Sequence, residues 1–126
     1  MSVEALLDAT RAGLAYERLR MDAASRNIAS SNVPLRTGDA ARVWQAPAAF
    51  DPQLGAALET APASTRAVHD PNHPLADAKG MVTYPAVDMV HEMTNLMTAT
   101  RSYEANVRSF NLLRSMMLRA LEIGAK

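Results

Sequence analysis

The chain has 126 residues, 48% hydrophobic and only 5% aromatic: one domain's worth, whose core must come from Ala, Leu, Val and Met, a composition that favours helix. Thirteen basic residues balance thirteen acidic ones, so no cationic surplus exists to displace counterions from nucleic acid, and no net charge keeps copies apart. The absence of cysteine excludes disulfides and thiolate metal sites.

Met1-Ser2-Val3-Glu4 lacks the basic region and apolar run of a secretory signal, and no apolar stretch is long enough to span a bilayer. All seven prolines fall between residues 34 and 85. Proline removes a backbone donor and clashes with the preceding turn, so the two ends are free to be helical and the middle is not. The expected fold is mainly α. Its inner part is 1–33 and 86–126, two long helices in an antiparallel coiled-coil-like hairpin, and 34–85 is an outward-facing loop with short strands.

The first helix begins at Ser2, a good N-cap, with Glu4 on the positive end of the helix dipole. Leu7, Leu14, Met21 and Ile28 lie one heptad apart, with Val3, Thr10, Glu17, Ala24 and Ser31 as the companion row. Pro34 disfavours helix at Val33, so the helix ends near Ser31. In the middle, 42–45, 64–68 and 81–84 read as extended. Asp70-Pro71-Asn72-His73-Pro74 and Ala78-Lys79-Gly80 read as turns.

The last helix is the stronger one. Asp88 is its N-cap and Gly124 a natural stop. Met89, Leu96, Tyr103, Phe110 and Met117 form one row; Met93, Thr100, Val107, Arg114 and Leu121 form the other. This helix would be roughly 54 Å long and the first roughly 40 Å. Two helices are too thin to bury all this apolar surface, so neighbouring molecules should cover the remainder. Eight methionines suit contacts that must adapt to several neighbours.

Glu17 and Arg114 stand in seam positions where apolar residues belong. With both termini at one end of a hairpin, Glu17 is expected near Arg114 or Arg108, within or between subunits; the alternative is that both reach solvent. Arginine outnumbers lysine eleven to two, which favours protein interfaces.

Catalytic signals are weak. His69 and His73 are four apart, but Pro71 and Pro74 forbid the helix that would make them a zinc pair, and no third ligand is near. There is no nucleophile elbow and no Gly-rich phosphate loop. The reading is no enzyme, no cofactor, no metal, no small-molecule substrate and no nucleic acid.

Two stretches carry a family resemblance. Ala24-Ser25-Arg26-Asn27-Ile28-Ala29 resembles the signature closing the N-terminal helix of bacterial flagellar axial proteins, those of the rod and hook. The second begins at Val68 and runs through Asp70-Pro71-Asn72-His73-Pro74, then Gly80 and Tyr84-Pro85. It continues with Arg101-Ser102-Tyr103-Glu104-Ala105-Asn106 and Leu121-Glu122-Ile123-Gly124, and resembles the C-terminal half of proximal rod proteins of the flagellar basal body. Residues 37–66 match nothing recognisable.

The resemblance implies a structural subunit that assembles helically into the drive shaft for motility. Its terminal helices would form the tube's inner layer. It implies passage through the flagellar type III export apparatus without a cleaved signal, and residence in the rod across the periplasm. Implied partners are other copies, other proximal rod proteins, the adapter seating the rod on the export gate, and distal rod proteins. Alternatives are a sister proximal rod protein or a small helical adaptor or export chaperone.

Overall fold

The structure, a computed structural model, describes residues 2–48 and 57–125. Expectations touching Met1, 49–56 and Lys126 lie outside it. Its elements are helix α1 (Val3–Ser30), strands β1 (Arg42–Gln45), β2 (Glu59–Pro62), β3 (Thr65–His69) and β4 (Met81–Pro85), and helix α2 (Met89–Gly124). The molecule is mainly helical, with the two helices packed together and short strands between them.

Both helix starts follow from their caps. Ser2 Oγ accepts from the Ala5 N–H at 3.2 Å, and Asp88 Oδ1 from the His91 N–H at 3.1 Å, each satisfying a donor that has no partner in the first turn. α1 closes at Ser31, whose hydroxyl and N–H both donate to the Ile28 carbonyl. Gly124 is not the left-handed stop that composition suggests. It is still helical, and α2 closes on Ala125, whose N–H donates to the Leu121 carbonyl at 3.0 Å in an ordinary right-handed turn. Among the described residues only Gly38 and Gly80 have positive φ.

The helices run antiparallel. The Arg11 guanidinium lies over the Phe110 ring at 5.9 Å, Gly13 faces the Asn106 amide, and the Thr100 hydroxyl reaches the Met21 sulfur at 3.5 Å. Small residues occupy the buried positions of both helices: Ala23, Ala24 and Ala99 are buried, and a Cβ on Gly13 would meet Asn106 Nδ2 at 3.0 Å. On this register the first turn of α1 is level with Met117, so the last two turns of α2 run past it by roughly 10 Å.

β1 and β2 pair antiparallel, as do β3 and β4, giving two separate two-stranded sheets. The strands expected at 42–45, 64–68 and 81–84 are β1, β3 and β4. β2 was not expected, because Glu59-Thr60-Ala61-Pro62 has one β-branched residue and ends in proline. An edge strand tolerates that proline, having a face that needs no donor. β4 carries Val82, the largest fully buried side chain among the described residues.

Candidate assembly surface

The segment between the helices is fastened to α1 at two points. The Asn27 side chain is 2% exposed and holds both backbone groups of Trp44: Nδ2 donates to its carbonyl at 2.8 Å, and Oδ1 accepts from its N–H at 2.7 Å. Asn27 thus acts as a strand partner for β1. The Arg26 guanidinium covers the Trp44 ring at 4.8 Å. The second point is Arg66 on β3. It stacks on the ring of its cross-strand neighbour Tyr84 at 4.5 Å and donates to the Ser31 carbonyl at 2.9 Å. A cation at the carbonyl end of α1 both satisfies an orphan acceptor and opposes the dipole.

The loop 70–80 between β3 and β4 is built from its own hydrogen bonds. Asp70 N–H donates to the Gly80 carbonyl, His73 N–H to Asp70, Ala76 N–H to His73, and Gly80 N–H to Asp77. Asp77 Oδ1 accepts from the N–H groups of Met81 at 2.9 Å and Lys79 at 2.8 Å. Those two bonds hold its carboxyl below the usual aspartate range. His73 Nδ1 accepts from the Leu75 N–H at 3.0 Å. Gly80 needs to be glycine twice over: its φ is +74°, and a Cβ would press on Pro71 Cγ at 3.0 Å. The Asp70, Pro71, His73 and Gly80 of the motif therefore share one folded turn; Pro74 is exposed and Pro85 buried.

The predicted packing residues divide. Leu7, Leu14, Met21 and Ile28 on α1, and Met89, Leu96, Tyr103, Val107, Phe110 and Met117 on α2, are half-buried; Met93 and Leu121 are exposed. Of the motif residues on α2, Ser102, Tyr103 and Asn106 face inward, whereas Arg101 and Ala105 are exposed; on α1, Ala29 is exposed. The heptad rows gave Ala24 a seam position and the family motif singled out Asn27, but sequence reasoning did not foresee the full burial of Ala99 or the inward contact of Asn27.

Within the subunit, Glu17 does not meet Arg114 or Arg108. Its carboxylate is taken by Arg20 at 3.0 Å, and the pair is largely buried. The antiparallel register also sets Glu17 level with Tyr103, roughly 16 Å along the axis from Arg114. The expectation of similar heights fails because α2 overhangs α1.

The free faces of the two helices differ in kind. α1 exposes Glu4, Asp8, Arg11, Arg18, Asp22 and Arg26. α2 exposes Val90 at 76%, Met97 at 57%, Leu112 at 62% and Ile123 at 77%, with Met93, Met116 and Leu118 beside them. Exposed Arg101, Glu104 and Arg108 separate an apolar patch near the start of α2 from one near its end, and two such patches on one helix mark an interaction face. No helix among the described residues is long and apolar enough to cross a membrane. A groove of 420 Å³ lies between α1, β1 and the start of α2, where Tyr16, Arg20, Trp44 and His91 meet. Its lining has no Ser, Thr or Cys beside His91. Among the described residues no group of three or more His, Cys, Asp or Glu is placed to hold a metal.

Comparison with known proteins agrees with this surface. The family described as flagellar basal body rod FlgEFG protein C-terminal matches residues 78–123, which hold β4 and nearly all of α2. The flagellar basal-body rod protein FlgC of Salmonella typhimurium strain LT2 is 36% identical over 135 residues, covering 98% of this chain and 99% of its own. That of Borreliella burgdorferi strain B31 is 32% identical over 150 residues, covering 98% of each. That of Escherichia coli O6:H1 is 53% identical over 62 residues, covering 49% of this chain and 46% of its own. Relatives matched end to end, together with two helices that leave an apolar face unburied, mean that this chain belongs to the FlgC family and is a structural subunit of the flagellar basal-body rod.

Proposed function

We propose that this subunit builds the wall of the rod with α1 and α2, and carries its two hairpins on the outside. The observation that carries this is the free face of α2, where Val90, Met97, Leu112 and Met116 stay in water unless a neighbour covers them. Contacts along most of the length of a long helix suit a shaft that transmits torque, and a heterologous interface that does not close on itself gives a filament. The inner layer is 1–33 with 86–126, and 34–85 faces outward.

The partners in this reading are other copies, the other proximal rod proteins, the adapter at the export gate and the distal rod. Export precedes assembly, through the flagellar type III apparatus and without a cleaved signal, and places the subunit in the periplasmic part of the rod. A monomer with uncovered stripes has mobile ends until it docks, which suits passage through a narrow channel. The function is mechanical, without catalysis, cofactor, nucleic acid or small-molecule substrate.

Circular dichroism with light scattering tests the reading. The purified chain should be a monomer of low helicity when dilute, and helicity should rise with assembly. A compact, fully helical monomer that never polymerises would instead fit an adaptor or chaperone. Any pairing of Glu17 with Arg108 or Arg114 lies between subunits and has to displace Arg20. Reversing the charge of Glu17 and of Arg114, singly and together, tests it: if the double reversal restores no assembly lost in the singles, the pairing is wrong.

A further inference from the structure

The two free faces carry charges whose spacing matches. Along α1 the exposed charges run Glu4, Asp8, Arg11, Arg18, Asp22 and Arg26; along α2, read from the same end, they run Glu122, Arg119, Arg114, Arg108, Glu104 and Arg101, of which all but Arg114 share one side. The gaps of three, four, seven and eleven residues are each close to a whole number of helical turns, so each set lies along one side of its helix. Asp8 and Arg11 are joined at 3.6 Å, and Asp22 Oδ1 meets Arg26 at 2.9 Å, which leaves Asp22 Oδ2 open. Among the described residues Glu4, Arg18, Arg101, Glu104, Arg108 and Arg119 have no ion-pair partner.

Resting on the rod-subunit reading, we infer that the free face of α1 docks on the free face of α2 of a second copy pointing the same way, in one register. That register sets Glu4 opposite Arg119, Ala15 opposite Arg108, Arg18 beside Glu104, and Asp22 opposite Arg101. It differs from the register inside the subunit by about three residues, a slide of roughly 4.5 Å. The aliphatic stems of Arg26 and Arg11, whose guanidinium groups stack on Trp44 and Phe110 within the subunit, then lie level with Met97 and Leu112 of the neighbour.

Sliding by one turn in either direction removes the match. One way, Arg18 meets Arg108 and Arg26 meets Arg101. The other way, Arg11 meets Arg108 and Arg18 meets Arg101. Like charges opposite each other reject a register more strongly than exposed pairs favour one, so the pattern specifies alignment while the apolar contact supplies cohesion. The interface is heterologous, because α1 of one copy meets α2 of the next, and it can repeat.

The test uses the chain's lack of cysteine, which makes an introduced pair the sole source of disulfide. Full chains carrying Ala15→Cys or Arg108→Cys are co-expressed in flagellated cells, basal bodies are isolated and oxidised, and crosslinked dimer is measured. Ala15→Cys with Met97→Cys, displaced by roughly 16 Å, is the out-of-register control, and Asp22→Cys with Arg101→Cys is a second in-register pair. In-register dimer should form and the control should not. Asp22→Arg should cut the Ala15–Arg108 crosslink about fivefold, the effect expected of one surface ion pair near the upper end of its range, and Arg101→Asp should restore it. Subunits present in basal bodies with equal crosslinking in the control, or with no rescue by Arg101→Asp, overturn the register and leave the rod reading standing. Unsubstituted chain absent from isolated basal bodies overturns both.

Discussion

Helices α1 and α2 come from one hairpin and share one packed seam, yet their outer sides are opposites. The outer side of α1 is a ladder of charges, two of whose acids are already engaged along the helix. That of α2 carries exposed Val, Leu, Met and Ile toward both ends of a charged middle. α1 leaves only Val3 and Leu6 of its large apolar side chains exposed, near its start, whereas α2 leaves such residues exposed from Val90 to Ile123. The lesson is that the subunit is complete on one side only, and that the incomplete side states where its neighbour goes.

The largest expected effect comes from making the two sides alike. Leu112→Glu with Met116→Glu changes side chains 62% and 57% exposed, so helix stability at fixed concentration should shift by less than about 0.5 kcal/mol. Incorporation into basal bodies should nonetheless be lost, as read by immunoblot of the purified structures. Normal incorporation would break the contrast between the helices.

Next is the seam they share. Ala99 is fully buried against α1, and Ala99→Leu should destabilise the pair by about 1–3 kcal/mol through overpacking. The same change at exposed Ala105 should be nearly silent. Urea titration of the helicity that the monomer retains separates the two, and equal effects would mean that the small residues do not set the helix spacing.

Asn27→Ala should cost about 1–3 kcal/mol locally, since both backbone groups of Trp44 lose their partner. Trp44 is the chain's one tryptophan, so its fluorescence should move to the red while the α2 signal holds. An unmoved spectrum would deny that Asn27 anchors β1.

The smallest effect is in the 70–80 loop. The carboxyl of Asp77 is stabilised as its anion in the folded chain. Its contribution is therefore present above the ordinary aspartate range and is lost as pH falls through the lowered value. Amide shifts of Met81 and Lys79 should report that loss in acid, and Asp77→Asn should flatten their titration. Both helices should be indifferent.

The helices were legible in the sequence because their caps and heptads are local. Ser2, Asp88, Pro34 and the Leu and Met rows need no knowledge of the rest of the chain. The strands at 42–45 and 81–84 were legible through β-branched and aromatic residues, and β2 was not, since pairing with β1 makes it a strand rather than its own composition. The inward role of Asn27 was illegible for a related reason: an asparagine late in a helix looks like a surface residue until Trp44 is brought to it. The heights of Glu17 and Arg114 were misjudged because periodicity fixes which side of a helix a residue takes, but says nothing about how far two helices slide past each other.

That slide has a consequence of its own. Because α2 continues roughly 10 Å beyond the first turn of α1, each subunit ends in a step rather than a blunt face, with Leu118, Leu121 and Ile123 on the projecting tongue. A tongue fits only where something leaves a recess for it, so a stack of such pieces has one end that offers and one that receives. Direction along the shaft is then written into the outline of a single subunit, before any neighbour arrives.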